Sequence, residues 1–170
     1  MLALHINYLS CMPRGKRADF SDADLSHVDL SYTDLSHANF SGANLSHANF
    51  SGANLTGADL SHANLSHANF SGADLTGANL IRANCYCAVL HCVRFLHTTI
   101  IGANFTLADL SHSYLSMVNF SGADLSYANF TGADLSYSNI SKVPTQCVTL
   151  VDANLTGTNF NFPQKAQSNV

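Results

Sequence analysis

The sequence predicts an all-β solenoid, a chain wound into stacked coils around one continuous apolar interior. Three observations predict it. A large apolar residue falls on every fifth position from Phe20 to Phe160, with 29 units and no insertion. Within each unit the order small, polar, large reads in-out-in, the alternation of a strand. Helix-favouring residues are scarce: all 11 acids are Asp, Trp is absent, and Lys plus Arg number 7.

The unit itself explains each turn of the chain. Its central position is Leu, Phe or Ile in 27 of the 29 units, Cys85 and Thr145 being the exceptions. Two residues earlier stands Ala in 19 units, otherwise Val, Thr or Ser, and Asp or Asn lies between in 23. Ser or Thr usually follows the centre, and then Gly, His or Tyr. On an α-helix five residues advance the direction by about 500°, so the centres would form no stripe. On a straight strand an odd period would flip the apolar set to the opposite face at every repeat. The chain must therefore turn once per unit, and the Ser-Gly or Ser-His pair is the natural corner.

The Phe positions probe the number of sides. Of nine Phe centres, seven (Phe20, Phe40, Phe50, Phe70, Phe120, Phe130 and Phe160) fall on every second unit, at multiples of ten, and Phe95 and Phe105 on the units between. A four-sided coil of 20 residues puts those seven on two opposite faces, and a three-sided coil scatters them. A ten-residue duplication would give the same parity. Thr145 follows Pro144, which lacks a ladder donor, so a bulge or broken rung is expected there.

Residues 18–162 form the repeat domain. Residues 1–17 are expected to cap its first coil, locally basic at Arg14, Lys16 and Arg17, and 163–170 to form a short tail, with Phe162 placed to cover the last coil. A net charge of −4 and a pI near 6.1 exclude a general nucleic-acid binder working through a basic surface. No apolar run approaches the roughly 18–20 residues that span a bilayer, so no membrane association is expected. The first nine residues are too short and too polar for a secretory signal. Five Cys, an odd number, fit reduced thiols in a cytoplasmic protein.

Runs such as ANFSGANLSHANFSGANL (38–55) resemble the pentapeptide-repeat proteins, and the resemblance covers residues 18–162. It implies a right-handed quadrilateral β-helix with the centre and the small residue two before it facing inward. The chain would then make about seven coils, about 35 Å long at roughly 4.8 Å per coil.

Two outward features could carry function. In steps of 20, one column runs His27, His47, His67, Cys87, Leu107, Tyr127 and Cys147. Stacked His about 4.8 Å apart, with Cys87, are weak metal candidates, since imidazole and thiolate suit zinc. His37, His62 and His112 fill corners on other sides, so corner-filling is the first reading. No cofactor is expected. The second feature is the stretch from Ile81 to Ile101, where the register survives but outward residues change. Ile81, Arg82, Tyr86, Val89, His91, Arg94, Leu96 and His97 replace the usual Ser, Gly, Asn and Asp. Exposed apolar groups with Arg and Tyr mark partner-binding surfaces, so these eight are the candidates for a protein partner. Leu107, Tyr114, Met117, Tyr127 and Tyr137 extend that surface or make the chain self-associate as a homodimer. Cys85, Cys87 and Cys92 read as structural thiols, Cys85 facing inward.

Ser, His and Asp recur through repetition, with no constellation set apart, so no enzyme is expected. The expected function is a non-catalytic protein-interaction scaffold. The resemblance supplies an alternative, a DNA-mimicking modulator of a type II topoisomerase such as gyrase. Mimicry needs a strong negative field along the rod, whereas Asp is concentrated only in the first coil, at Asp19, Asp22, Asp24, Asp29 and Asp34. A His-rich metal- or pH-responsive rod is the third reading.

Overall fold

The computed structural model describes residues 17–160 and shows a β-helical solenoid. Parallel bridges join nearly every outward residue to the one 20 positions on, from Asp19 with Asn39 to Asp134 with Asn154. A corner falls at every fifth residue, so each 20-residue coil has four sides. The first side carries the centres 20, 40, 60 and onward, the second 25, 45, 65, the third 30, 50, 70, and the fourth 35, 55, 75. Of the residues expected to cap the rod, 1–17, only Arg17 is described; residues 1–16 and those from 161 on, including Phe162 and the tail 163–170, lie outside the described residues. Among the described residues no helix is long and apolar enough to cross a membrane.

The consensus follows from backbone bookkeeping, since a buried N–H must find an acceptor. The first coil shows the pattern. Phe20 N–H donates to the Asn39 carbonyl of the next coil at 2.7 Å, Asp22 N–H to that of Ser41 at 2.9 Å, and Ala23 N–H closes the corner on Phe20 at 3.1 Å. Asn39 N–H in turn donates back to the Ala18 carbonyl at 2.9 Å. Only the residue after the centre has no backbone acceptor. Its N–H goes instead to the Asp or Asn side chain two residues earlier, as Ser21 N–H does to Asp19 Oδ1 at 3.1 Å. An Asp or Asn side chain has the reach for this local turn. Glu is one methylene longer, which accounts for its absence from the template.

The same side chains stack into ladders. Asn64 Nδ2 donates to Asn44 Oδ1, Asn84 to Asn64 and Asn104 to Asn84, at 3.0–3.2 Å. Every donor lies in the later coil and every acceptor in the earlier one. Asp can therefore begin a ladder but cannot continue one. The first described coil obeys this: Asp19, Asp24, Asp29 and Asp34 each accept from the Asn 20 residues on. Their concentration there has a structural cause.

Three of these carboxyls sit below their ordinary range. For Asp19 the main cause is the Ser21 hydroxyl, and for Asp24 and Asp29 the backbone N–H groups of Ser26 and Ser31. A depressed folded-state pKa contributes stability above the ordinary value of about 4 and loses it as pH falls through the lowered one. Thermal melts followed by circular dichroism should therefore be flat down to about pH 5 and fall steadily below about pH 4. A melting temperature unchanged at pH 2.5 would show that the ladder starts are irrelevant to stability.

At the corners, the second turn residue has positive φ throughout, for example 60° at His27 and 69° at Gly42, as in a type II turn. Glycine leaves room where a side chain of the preceding coil leans over the site: a Cβ on Gly52 would meet the exposed Tyr32 ring at 2.6 Å unless that ring swung away.

Inward, the two Phe-rich sides face each other. Phe50 stacks on Phe70 with centroids 4.8 Å apart, and Phe20 on Phe40 at 5.0 Å. Phe40 meets Phe50 edge-on across the interior at 5.9 Å. This is the two-face placement that a 20-residue coil requires. Cys85 occupies a centre position, and burial pushes its thiol up to about 12. At Pro144 the expected broken rung is present. Its carbonyl still accepts Leu125 N–H at 2.9 Å, but no bridge forms with Asp124 because proline has no N–H to return.

Candidate partner-binding groove

The fourth side departs most from the template. Its outward column runs Asp34, Asn54, Asp74, Arg94, Tyr114, Asp134 and Asn154. The amide ladder joins Asn54 to Asp34 and Asn154 to Asp134 but lapses between Asn54 and Asp134. Across that gap opens a groove of about 420 Å3, lined by Arg94, Leu96, Tyr114, Ser116 and Asp134. Arg94 Nε lies 3.9 Å from Asp74 Oδ2, both side chains well exposed. Such a contact contributes little to stability, so the guanidinium stays available. Tyr114 is 62% exposed, and at the neighbouring corner Met117 and Tyr137 are 74% and 63% exposed.

The backbone beside the groove is also altered. Between 96–100 and 116–119 three bonds that elsewhere join successive coils do not form: His97 N–H to Ser116, Ile100 N–H to Asn119, and Asn119 N–H to Thr98. The bridge between Thr99 and Asn119 is missing with them. The cause lies inside. Thr98 and Val118, neighbours in successive coils, occupy inward positions where Ala is usual. Extra branched volume in a close-packed interior forces backbone to shift. Thr98 is accommodated because its hydroxyl donates to the Leu75 carbonyl at 2.7 Å.

Of the eight residues expected to face a partner, only Arg94 and Leu96 line the groove, and His97 is exposed at its edge. Ile81 and Arg82 lie at the corner between the first and second sides, Tyr86 at that between the second and third, Val89 on the third side and His91 at the next corner. The altered coil is a ring around the rod, and no flat partner touches all of it. Sequence reading singled out Tyr114 only as an extension and missed Ser116 and Asp134, which look like template residues. The inward substitutions at Thr98 and Val118 were the available signal.

The His column has the expected spacing. His27 stacks on His47 and His47 on His67 at 4.8 Å with planes within 3° of parallel, and Tyr86 meets His67 edge-on. Parallel rings hold their nitrogen lone pairs side by side, not converging on one point as a shared metal needs. Among the described residues no group of three or more His, Cys, Asp or Glu side chains is placed to hold a metal ion.

Stacked parallel bridges, a side-chain amide ladder and an altered outward face define a repeat-solenoid scaffold. The pentapeptide-repeat family model matches residues 18–57, 58–95 and 103–141 in eight copies, and the chain belongs to that family. No curated protein matches it. Among solved structures the chain is similar to HetL, a pentapeptide repeat protein involved in heterocyst differentiation regulation from the cyanobacterium Nostoc sp. strain PCC 7120. That pair is 29% identical over 84% of this chain and 78% of the other, with a TM-score of 0.31. It is also similar to QnrB1, a plasmid-mediated fluoroquinolone resistance protein, at 31% identity over 77% and 76%, TM-score 0.38. A pentapeptide repeat protein from the Arabidopsis thaliana thylakoid lumen is 29% identical over 74% and 70%, TM-score 0.37.

Proposed function

We propose that this chain is a non-catalytic scaffold that binds a protein partner through the groove on its fourth side. The reading takes the rod as right-handed, of about seven coils, working in the cytoplasm. Beside the open backbone seam at the adjoining corner, two departures coincide on the fourth side and carry the reading: the lapsed amide ladder and the cluster of Arg94, Leu96 and Tyr114. Each replaces a group that stabilises the rod with one that faces solvent. Tyr and Arg are the residue types that dominate binding energy at protein interfaces.

Side chains further round the rod, such as Tyr86 and Val89, belong to other sides and are not required. The topoisomerase-modulator alternative rests on a negative field along the rod, whereas the acids are concentrated in the first coil, at Asp19, Asp22, Asp24, Asp29 and Asp34.

The test compares capture from the source cells by three proteins. The groove variant Arg94→Asn, Leu96→Ser, Tyr114→Asn returns the side to the template and should melt no lower than wild type, since Asn at 94 and 114 can rejoin the ladder. A control variant, Tyr86→Ser with Val89→Asn, alters the second and third sides. A partner retained by the control and lost by the groove variant, by at least about tenfold in affinity, is the expected result. A partner lost only by the control would move the interface and sink the reading. Absence of partners, with inhibition of gyrase supercoiling, would favour the alternative.

A further inference from the structure

The corner at residues 90–93, between the third and fourth sides, holds an arrangement that the scaffold reading does not use. Cys92 takes the left-handed corner position, φ 57°, and its thiol is exposed. Its sulfur lies 3.1 Å from Nε2 of His91. The other imidazole nitrogen, Nδ1, lies 2.9 Å from the Ser111 hydroxyl in the next coil. Ser111 is only 7% exposed and is held by its own backbone: its N–H donates to Asp109 Oδ1 at 3.0 Å, and its carbonyl accepts Cys92 N–H at 3.0 Å. The His112 ring meets the His91 ring edge-on at 5.4 Å.

The backbone of this corner is modified as well. The usual bond from Val93 N–H to the Leu90 carbonyl does not form. In its place the Ser113 hydroxyl, 1% exposed, accepts Val93 N–H at 3.2 Å and donates to the Leu90 carbonyl at 2.5 Å. Buried side chains from the following coil therefore fix both the corner and the imidazole on it. A thiol bonded to an imidazole, with a third group orienting the ring, is the arrangement that activates a cysteine nucleophile.

We propose that Cys92 is a reactive thiol that forms a mixed disulfide with low-molecular-weight disulfides, with His91 as its base and Ser111 as a positioning residue. With its proton on Nδ1, the imidazole donates to Ser111 Oγ, and Nε2 takes the proton from the Cys92 thiol. The thiolate attacks one sulfur of the small disulfide, the S–S bond breaks, and the departing thiolate takes the proton back from His91. One sulfur of the ligand is reduced to a free thiol, and the Cys92 sulfur is oxidised into the new disulfide.

Cys147 is an internal comparator. It is exposed, holds the same corner position at φ 53°, and forms no bond to an imidazole among the described residues. The full chain is mixed with excess 5,5′-dithiobis(2-nitrobenzoate) at pH 7, and released thionitrobenzoate is timed while peptide mapping assigns each labelled cysteine. Cys92 should react at least about tenfold faster than Cys147. His91→Gln should bring Cys92 down to the Cys147 rate, Ser111→Ala should give an intermediate rate, and Cys147→Ser should change nothing at Cys92. Equal rates for the two cysteines in the unaltered protein would overturn the proposal, whatever the variants do. So would an unchanged Cys92 rate in a His91→Gln protein whose melting matches wild type.

Discussion

Replacing Phe50 with Ala should cost about 3–5 kcal/mol, the range for emptying a large aromatic from a packed interior. Phe50 is fully buried, stacks on Phe70 at 4.8 Å, and is met edge-on by Phe40 from the opposite side. Its removal deletes apolar area and two ring contacts at once, and Ala43, Ala48 and Ala53 around it are too small to collapse into the space. For a chain of this size the melting temperature should drop by roughly 2–4 °C per kcal/mol. The damage should also be local, because each coil touches only its neighbours. Amide exchange should therefore speed up over residues 30–70 and remain slow over 104–135. Phe50→Leu, which keeps most of the volume, should cost far less. A loss below about 1 kcal/mol for Phe50→Ala would mean that the interior is not close-packed.

The second large effect concerns the ladder. Asn64 makes three side-chain hydrogen bonds: it donates to Asn44 Oδ1 at 3.1 Å, accepts from Asn84 Nδ2 at 3.2 Å, and accepts Ser66 N–H at 3.3 Å. At about 1 kcal/mol each, Asn64→Ala should cost about 2–3 kcal/mol. Asn64→Asp keeps both acceptor roles and loses only the donor, so about 1 kcal/mol is expected. The direction of donation makes an opposite prediction elsewhere. Asp59 accepts from Asn79 but has nothing to donate to Asn39. Asp59→Asn should join the two halves of the first-side ladder and stabilise the rod by about 0.5–1.5 kcal/mol. Chemical denaturation of the three variants measures all of this. If Asp59→Asn destabilises while Asn64→Ala is neutral, the ladder is a by-product of the fold and not a support for it.

These effects show how much the chain's own pattern contains. The period of five, the inward centres and the corner chemistry were legible, because one local template repeats 29 times and each copy must satisfy the same backbone groups. The burial of Cys85 and the broken rung at Pro144 were legible for the same reason: each is a departure from a known position. The placement of partner-facing residues was only half legible. Ile81, Arg82, Tyr86 and Val89 stand out in the sequence as strongly as Arg94 and Leu96, yet they point from different sides of the rod.

The sequence alone determined that this protein is a rod of stacked five-residue units with an apolar interior. Such a repeat is a local property, read from each unit without knowing its neighbours. Only the tertiary structure decided the rest. Contacts between residues 20 apart made Asp the start of most ladders and Asn their continuation, opened the seam beside Thr98 and Val118, and brought Asp134 into a groove with Arg94. They also placed Ser111 and Ser113 against the corner that carries His91 and Cys92. Those pairings depend on which unit lies above which. Register between coils is fixed by the closing of four sides, and no single unit contains it.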